Sequence, residues 1–90
     1  MRPADTNDDA TDLALRALVW TLAEPDRALR LLSVTGLTPG DLRARVSDPA
    51  VLSAALGFLE GHEPDLLACA EELGVAPASL VRAHLMLEPS

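Results

Sequence analysis

The fold is decided by a pattern that occurs twice, first as EPDRALRLLSVTGLTPGDL (residues 24–42) and again as EPDLLACAEELGVAPASL (residues 63–80). Each copy begins with Glu-Pro-Asp, continues through a mostly apolar stretch and reaches a Gly-apolar-x-Pro turn. Gly36 of the first turn precedes Gly74 of the second by 38 positions. Self-similarity at a period of this length indicates a supersecondary unit that is repeated to build one core.

The composition predicts an all-α protein with a single domain. Ninety residues leave room for one core, because domains run from about 50 to 250 residues. Apolar residues make up 49% of the chain, Leu and Ala dominate among them, and only 2% of the residues are aromatic. Leu and Ala favour helices, whereas strands favour β-branched and aromatic residues.

Proline and glycine mark the expected helix boundaries. Proline fits best in the first turn of a helix, where its missing N–H would have had no partner. Five prolines stand at such places: Pro25, Pro39, Pro49, Pro64 and Pro77. Gly36, Gly61 and Gly74 stand where helices should end, since glycine accepts the left-handed conformation that closes a C-terminus. Thr38 and Asp48 are expected N-caps.

These signals predict a compact bundle of five to six short helices. The expected ranges are 11–23, 25–35, 39–46, 49–60, 64–73 and 77–87. Short connections make successive helices neighbours, which gives two similar three-helix halves at about residues 13–46 and 50–86. Residues 1–10 have no apolar period and are expected to form a disordered acidic tail ahead of one helical domain at 11–90.

The candidate core is aliphatic around one tryptophan, and truncation of Trp20 is expected to destabilise the fold severely. The apolar residues of the first helix wrap most of its circumference, which is typical of a buried helix. The expected core residues are Leu15, Leu18, Trp20, Leu22, Leu29, Leu32, Val34, Leu37, Leu42, Val46, Val51, Leu52, Leu56, Phe58, Leu59, Leu66, Leu67, Ala70, Leu73, Val75, Leu80, Val81 and Leu85.

The net charge and the search for targeting segments limit the kinds of partner that the sequence favours. The formal net charge of −7 disfavours nucleic acid and anionic membranes. The chain starts with polar and acidic residues and has no apolar run of the ~20 residues that cross a bilayer. Its single cysteine, Cys69, suits a reducing compartment. We therefore expect a cytoplasmic protein with no membrane partner.

Catalysis and cofactor binding are not predicted. Phosphate-binding loops, dinucleotide fingerprints and serine nucleophile elbows are absent from the sequence. His62, His84 and Cys69 are the residues best suited to metal or nucleophilic chemistry, but they lack the spacing of a zinc site. Cys69 lies between two alanines and is expected to be a small buried apolar residue. We expect no enzyme activity, no metal and no cofactor.

The arginines suggest one candidate binding patch. Four of the seven lie close together in the sequence: Arg27, Arg30, Arg43 and Arg45. They could form a site for an anion or an acidic partner, since guanidinium groups bind carboxylate and phosphate through paired hydrogen bonds. The alternative is solvated surface charge paired with Asp26 and Asp41.

The second copy resembles a helix-turn-helix, in which a small residue and a turn glycine allow two helices to pack closely. The residues at that spacing are Ala70, Gly74, Leu80 and Ala83. The face that would meet nucleic acid offers Ser79, Arg82 and His84, with glutamates around it. The same turn recurs at 36–39 without such residues, so a repeated structural hairpin is the more economical explanation.

Several stretches of the chain are similar to one known family. They are LRALVW (15–20), PDR (25–27), TGLTPGDLR (35–43) and DP (48–49). Together they resemble a group of short alphaproteobacterial proteins classed as a domain of unknown function, over roughly residues 12–86. The resemblance implies a short, helical bacterial protein and supplies no catalytic residue, cofactor or partner.

The sequence therefore favours a small non-catalytic bacterial protein that acts as a protein–protein interaction or regulatory module. The alternative is a nucleic-acid-binding regulator that uses the helix-turn-helix-like pair at 66–87. A homodimer is also possible, because the apolar residues around the first helix and at 85–87 could complete a core between two copies.

Overall fold

Six helices and the short turns between them make up residues 5–88, the part of the chain that the computed structural model describes. Their bounds are α1 Asp5–Leu22, α2 Pro25–Thr35, α3 Pro39–Arg45, α4 Pro49–Glu60, α5 Glu63–Leu73 and α6 Pro77–Leu87. No strand occurs within these residues, and the predicted all-α bundle is confirmed.

The local signals place five of the six helices to within one residue. Thr38 forms a capping box with Asp41, and the Asp48 carboxylate accepts a hydrogen bond from the Ala50 amide, as predicted. Glu24 is a cap that the prediction missed, since its carboxylate accepts from the amides of the first turn of α2. Helix ends are satisfied locally because their first amides have no partner inside the helix.

Helix α1 begins earlier than predicted. It starts at Asp5, so the structure places residues 5–10, which were predicted to belong to the acidic tail, in the helix. Ala10 and Ala14 are buried in the core, and α1 packs along α6. This packing explains the extra turns, because tertiary contacts supply most of the stability of a short helix. The part of the predicted tail at residues 1–4 lies outside the described residues.

Helices α1 and α4 form the centre of the bundle, and α6 packs across both. Four buried positions of α1 recur on α4 at the spacing of 38 residues. They are Ala14, Ala17, Leu18 and Thr21 on α1, and Leu52, Ala55, Leu56 and Leu59 on α4. Helices α2 and α5 flank this centre, and their fully buried residues Leu31 and Cys69 also stand 38 positions apart.

The third helices of the two halves differ in length and in packing. Helix α6 has eleven residues and contacts α1, α4 and α5, whereas α3 has seven residues. Within residues 5–88, α3 makes no helix–helix contact of comparable extent. Leu42 is the buried residue of α3, and Leu80, Ala83 and Leu87 are buried on α6.

Several apolar residues that were predicted to lie in the core are exposed. They are Leu22, Leu29, Val34, Val46, Leu67 and Leu85. Trp20 is partly buried at the edge of the core, and fully buried Leu31 was missed. Alanines such as Ala17 and Ala55 occupy the central interface, so the helices approach closely and the interior is too small for every large side chain. The severe effect predicted for Trp20 truncation is revised to a moderate one.

Gly61 ends α4 as predicted but for a different reason. Gly36 and Gly74 have φ of 77° and 73°, the left-handed conformation that favours glycine. Gly61 has φ −75°, which any residue adopts. Its amide donates hydrogen bonds to the carbonyls of Gly57 and Leu59, and these bonds close the helix.

Candidate functional site

A shallow apolar hollow lies on the surface at the C-terminal half of α1. It has a volume of about 390 Å³ and is lined by Leu15, Arg16, Val19, Trp20 and Leu73. We call it the Trp20 groove. Leu15, Trp20 and Leu73 are partly buried and pack on the core, whereas 66% of Val19 is exposed. The groove therefore presents apolar surface that no described part of the chain covers.

Helical spacing explains why these side chains share one surface. Leu15 and Val19 are four residues apart on α1, and so are Arg16 and Trp20, which places each pair one above the other. Leu73 is the last residue of α5, which packs beside α1. The groove thus forms where the end of α5 meets the side of α1.

Arg16 holds these two helices together at the groove. Its Nη2 donates a hydrogen bond to the carbonyl of Leu73 at 3.2 Å. The last carbonyls of a helix lack partners within it and carry partial negative charge, so a guanidinium is favoured there. Helix α5 has no basic residue in its own last turn, and Arg16 of α1 supplies one.

Arg27 has the same role at the end of α1. Its Nη2 donates to the carbonyl of Trp20 at 2.5 Å, and its guanidinium carbon lies 3.6 Å from the centroid of the Trp20 ring. A guanidinium over an indole face is attracted by the negative charge of the π system. Helix α1 also lacks a basic residue in its last turn. Arg16 and Arg27 are thus held in fixed positions around Trp20.

The four predicted patch arginines do not share one binding contact. Arg30 Nη2 lies 3.1 Å from Asp65 Oδ2, close enough for an ion pair although outside hydrogen-bond geometry, and its guanidinium carbon lies 5.7 Å from the Phe58 centroid. Arg45 pairs with Asp48 at 3.2 Å. Arg43 is exposed on α3.

Asp26 and Asp41 were expected to neutralise these arginines, but the carboxylates that pair with Arg30 and Arg45 are Asp65 and Asp48. Asp41 instead accepts a hydrogen bond from the Thr38 amide at 3.0 Å. This bond lowers the pKa of the Asp41 carboxyl below its ordinary value of 3.8. The paired charge is thus formed by carboxylates that differ from the predicted ones.

Ser79 and Arg82, from the predicted helix-turn-helix face, line a second hollow between α1 and α6. It also has a volume of about 390 Å³, and its lining includes Asp9 and Asp12 of α1. Two carboxylates beside Arg82 make this hollow less suited to phosphate than a basic surface would be.

His84 lies apart from these two residues, toward α4. Its Nδ1 is 2.6 Å from Glu60 Oε2, and its ring lies against Gly57. The contact joins α4 and α6 through a hydrogen bond between the imidazole and the carboxylate. The structure therefore brings Ser79 and Arg82 together and places His84 elsewhere.

The remaining candidate, Cys69, is buried as expected. Burial raises the pKa of its thiol to about 11, so the thiol stays protonated at neutral pH and is a poor nucleophile. The Nε2 atom of His62 lies 4.0 Å from the Oδ2 atom of Asp65. Among the described residues, no three His, Cys, Asp or Glu side chains lie close enough together to hold a metal ion.

None of the helices within residues 5–88 is both long and apolar enough to span a membrane.

Comparison with known proteins identifies a family. No curated protein matches the chain, and no solved structure does either. Residues 7–90 match the model of a family described as "Protein of unknown function (DUF3572)". This match covers nearly the whole chain and confirms the resemblance to a domain of unknown function that residues 15–49 predicted. The chain belongs to the DUF3572 family.

Proposed function

We propose that the protein is a non-catalytic interaction module of the cytoplasm, which binds another protein through the Trp20 groove. The observation that carries the proposal is the exposed apolar surface around Trp20, with Val19 standing out from α1. Contiguous apolar patches on a folded domain mark binding surfaces more often than isolated exposed side chains do. The groove contains such a patch between two helices.

The residue types of the groove also support a binding role. Tryptophan and arginine are enriched among the side chains that dominate binding energy at protein interfaces. Trp20 and its two arginines are already fixed by contacts within the fold, so little side-chain freedom would be lost when a partner binds. A surface that is ordered before binding gains affinity for this reason.

The alternative of a nucleic-acid reader finds less support in the structure. Helix α6 would be the recognition helix, but it packs against α1 and α4. Ser79 and Arg82 face the same hollow as Asp9 and Asp12. Readers of nucleic acid need a surface that is locally basic, because phosphate contacts supply most of their affinity.

The proposal is tested by capture from an extract of the organism that encodes the protein. Three tagged baits are compared: the natural chain, Val19→Gln in the groove, and Val34→Gln as the matched control. Val34 is 70% exposed on α2 and lines a different hollow beside Phe58. Both substitutions replace an exposed valine on a helix by a good helix former, so the fold should tolerate either one.

After nuclease treatment, the natural chain and Val34→Gln should both retain at least one protein. Val19→Gln should not retain it. Recovery of the same proteins by all three baits would contradict a role for the groove. Recovery of nuclease-sensitive material alone would favour the nucleic-acid alternative.

A further inference from the structure

The chemistry of the groove narrows the kind of partner. We infer that its occupant is a short amphipathic helix of another protein, in which carboxylates flank the apolar side chains that enter the groove. This inference rests on the proposed function and adds the class of partner to it. It is carried by the backbone environment of the groove and by the positions of Arg16 and Arg27.

The backbone around the groove favours a helical occupant. Leu15, Val19 and Trp20 lie within α1, where amides and carbonyls bond to each other, and the terminal carbonyl of Leu73 is bonded to Arg16. An extended peptide would bury amides and carbonyls against this surface with few partners. A helix satisfies its own backbone groups and presents only side chains, so it suits an apolar groove.

The length of the groove fits one or two turns of such a helix. From Leu15 to Trp20 it follows α1 for five residues, which is about 7.5 Å at 1.5 Å per residue. Two apolar side chains at positions i and i+4 of the occupant, about 6 Å apart along its axis, would fill most of this length. The apolar contact is therefore small, and further affinity has to come from the arginines beside it.

The two arginines that contact Leu73 and Trp20 favour carboxylates on the occupant. Arg16 is the one charged residue among those that line the groove, and Arg27 stacks on Trp20. Each guanidinium uses Nη2 to bond a carbonyl and has further N–H donors, because arginine carries five in all, but Nε of Arg27 is buried, which leaves its terminal nitrogens to meet an occupant. Hydrogen bonds from arginine to a carboxylate are about twice as strong as those between neutral groups.

The acidic charge of the whole chain does not oppose a short acidic helix strongly. The net charge is −7, and Asp9 and Asp12 line the neighbouring hollow together with Arg16. At physiological salt the Debye length is about 8 Å, so more distant carboxylates are screened, whereas Arg16 and Arg27 would contact the occupant directly. A second copy of this chain is a poorer occupant. It would bring another net charge of −7 against the same surface, where a short helix brings only a few carboxylates.

The experiment selects helix-forming peptides from a display library on the full chain, and it uses Trp20 as the reporter. Trp20 is the one tryptophan of the sequence, so its emission reports occupation of the groove directly. Selected peptides are titrated against the natural chain, Val19→Gln and Val34→Gln. Each peptide is also made with its Asp and Glu residues replaced by Asn and Gln, which tests charge without changing the protein.

We expect enriched peptides to carry apolar residues three or four positions apart with Asp or Glu beside them. They should shift the Trp20 emission, bind Val19→Gln at least fivefold more weakly, and bind Val34→Gln unchanged. Replacing their carboxylates should weaken binding about tenfold, since a neutral amide oxygen accepts from arginine more weakly than a carboxylate does.

Three outcomes would count against this inference, and they bear differently on the proposed function. Peptides that depend on Val19 but keep their affinity without carboxylates would overturn the acidic-helix inference and leave the groove as a binding surface. Failure to enrich any peptide that depends on Val19 would count against both. A homodimer in sedimentation that Val19→Gln dissociates and Val34→Gln does not would assign the groove to a second copy and overturn the inference.

Discussion

The turn at Gly36 and the turn at Gly74 look alike in sequence but close their helices differently. Both glycines are left-handed. At the second turn the Gly74 amide donates to the Glu71 carbonyl, and the Val75 amide donates to the Ala70 carbonyl at 3.0 Å. This pair of bonds is a Schellman motif, which folds the chain back on the last turn of the helix.

At the first turn a side chain replaces the second of these bonds. The Gly36 amide donates to the Leu32 carbonyl at 2.9 Å, which is the simpler left-handed closure. The Leu37 amide donates to the hydroxyl oxygen of Thr35, whose own proton goes to the Leu31 carbonyl at 2.6 Å. Equivalent glycines thus lead into different paths for the following chain.

The helices that follow the turns are stabilised in different ways. Helix α3 has a capping box and little packing, whereas α6 has no side-chain cap and is buried on two helices. Capping residues, prolines and glycines near each helix end therefore determine where the helix begins and ends. The apolar face of each helix decides whether it enters the core.

The largest difference in stability is expected between alanine substitutions of two leucines that stand at equivalent positions in the two copies of the repeat. Leu80 is 0% exposed and Leu42 is 8% exposed. Leu80→Ala should lower the free energy of unfolding by about 3–5 kcal/mol, because it leaves a cavity among packed helices, and Leu42→Ala by about 1–2 kcal/mol. Urea denaturation measures both. Equal losses would mean that α3 is as much part of the core as α6.

The glycines should show the next largest effect. Gly36→Ala and Gly74→Ala should each cost about 1–2 kcal/mol, since a left-handed backbone is strained for any residue with a Cβ. Gly61→Ala is the control, because its φ is −75°, and it should change stability by less than about 0.5 kcal/mol. Denaturation of the three variants tests whether the left-handed backbone is what requires glycine. A large loss of stability in Gly61→Ala would contradict this explanation.

Substitutions at the helix caps should change the stability by less, and in opposite directions for α3 and α6. Thr38→Ala removes the capping box of α3 and should cost about 1 kcal/mol. Ala76→Asp gives α6 the cap that it lacks and should stabilise the protein by about 0.5–1 kcal/mol. Thermal melts report both changes. A loss of stability in Ala76→Asp would show that the N-terminus of α6 cannot accept a cap.

Acid should weaken the caps at α3 and α4, whereas α6 has no side-chain cap to lose. Hydrogen bonds from backbone amides lower the pKa of Asp41 and Asp48 below the ordinary value of 3.8. Their contribution is therefore present above pH of about 4 and is lost as the pH falls through the lowered values. Denaturation between pH 2 and 6 should show this decline. Asp48→Asn should make the stability depend less on pH. The same pH dependence as in the natural chain would contradict a role for the Asp48 carboxylate.

Much of the fold followed from short-range chemistry, but the site did not. Thr38 and Pro39 identify the start of α3 because capping needs only neighbouring residues. Leu31 and Leu29 could not be told apart, because both lie on an apolar helix and tertiary packing selects the buried one. The Arg16 contact joins residues 57 positions apart, so spacing within a helix gave no sign of it.

The emission of Trp20, measured with the full chain alone and after addition of a captured partner, tests the central claim most directly. If the Trp20 groove binds the partner, emission should shift to shorter wavelength on binding, because the partner removes water from the exposed part of the ring. The shift should be weaker in Val19→Gln at the same partner concentration. A saturating partner that leaves the emission unchanged would contradict the account, since binding would then occur elsewhere on the molecule.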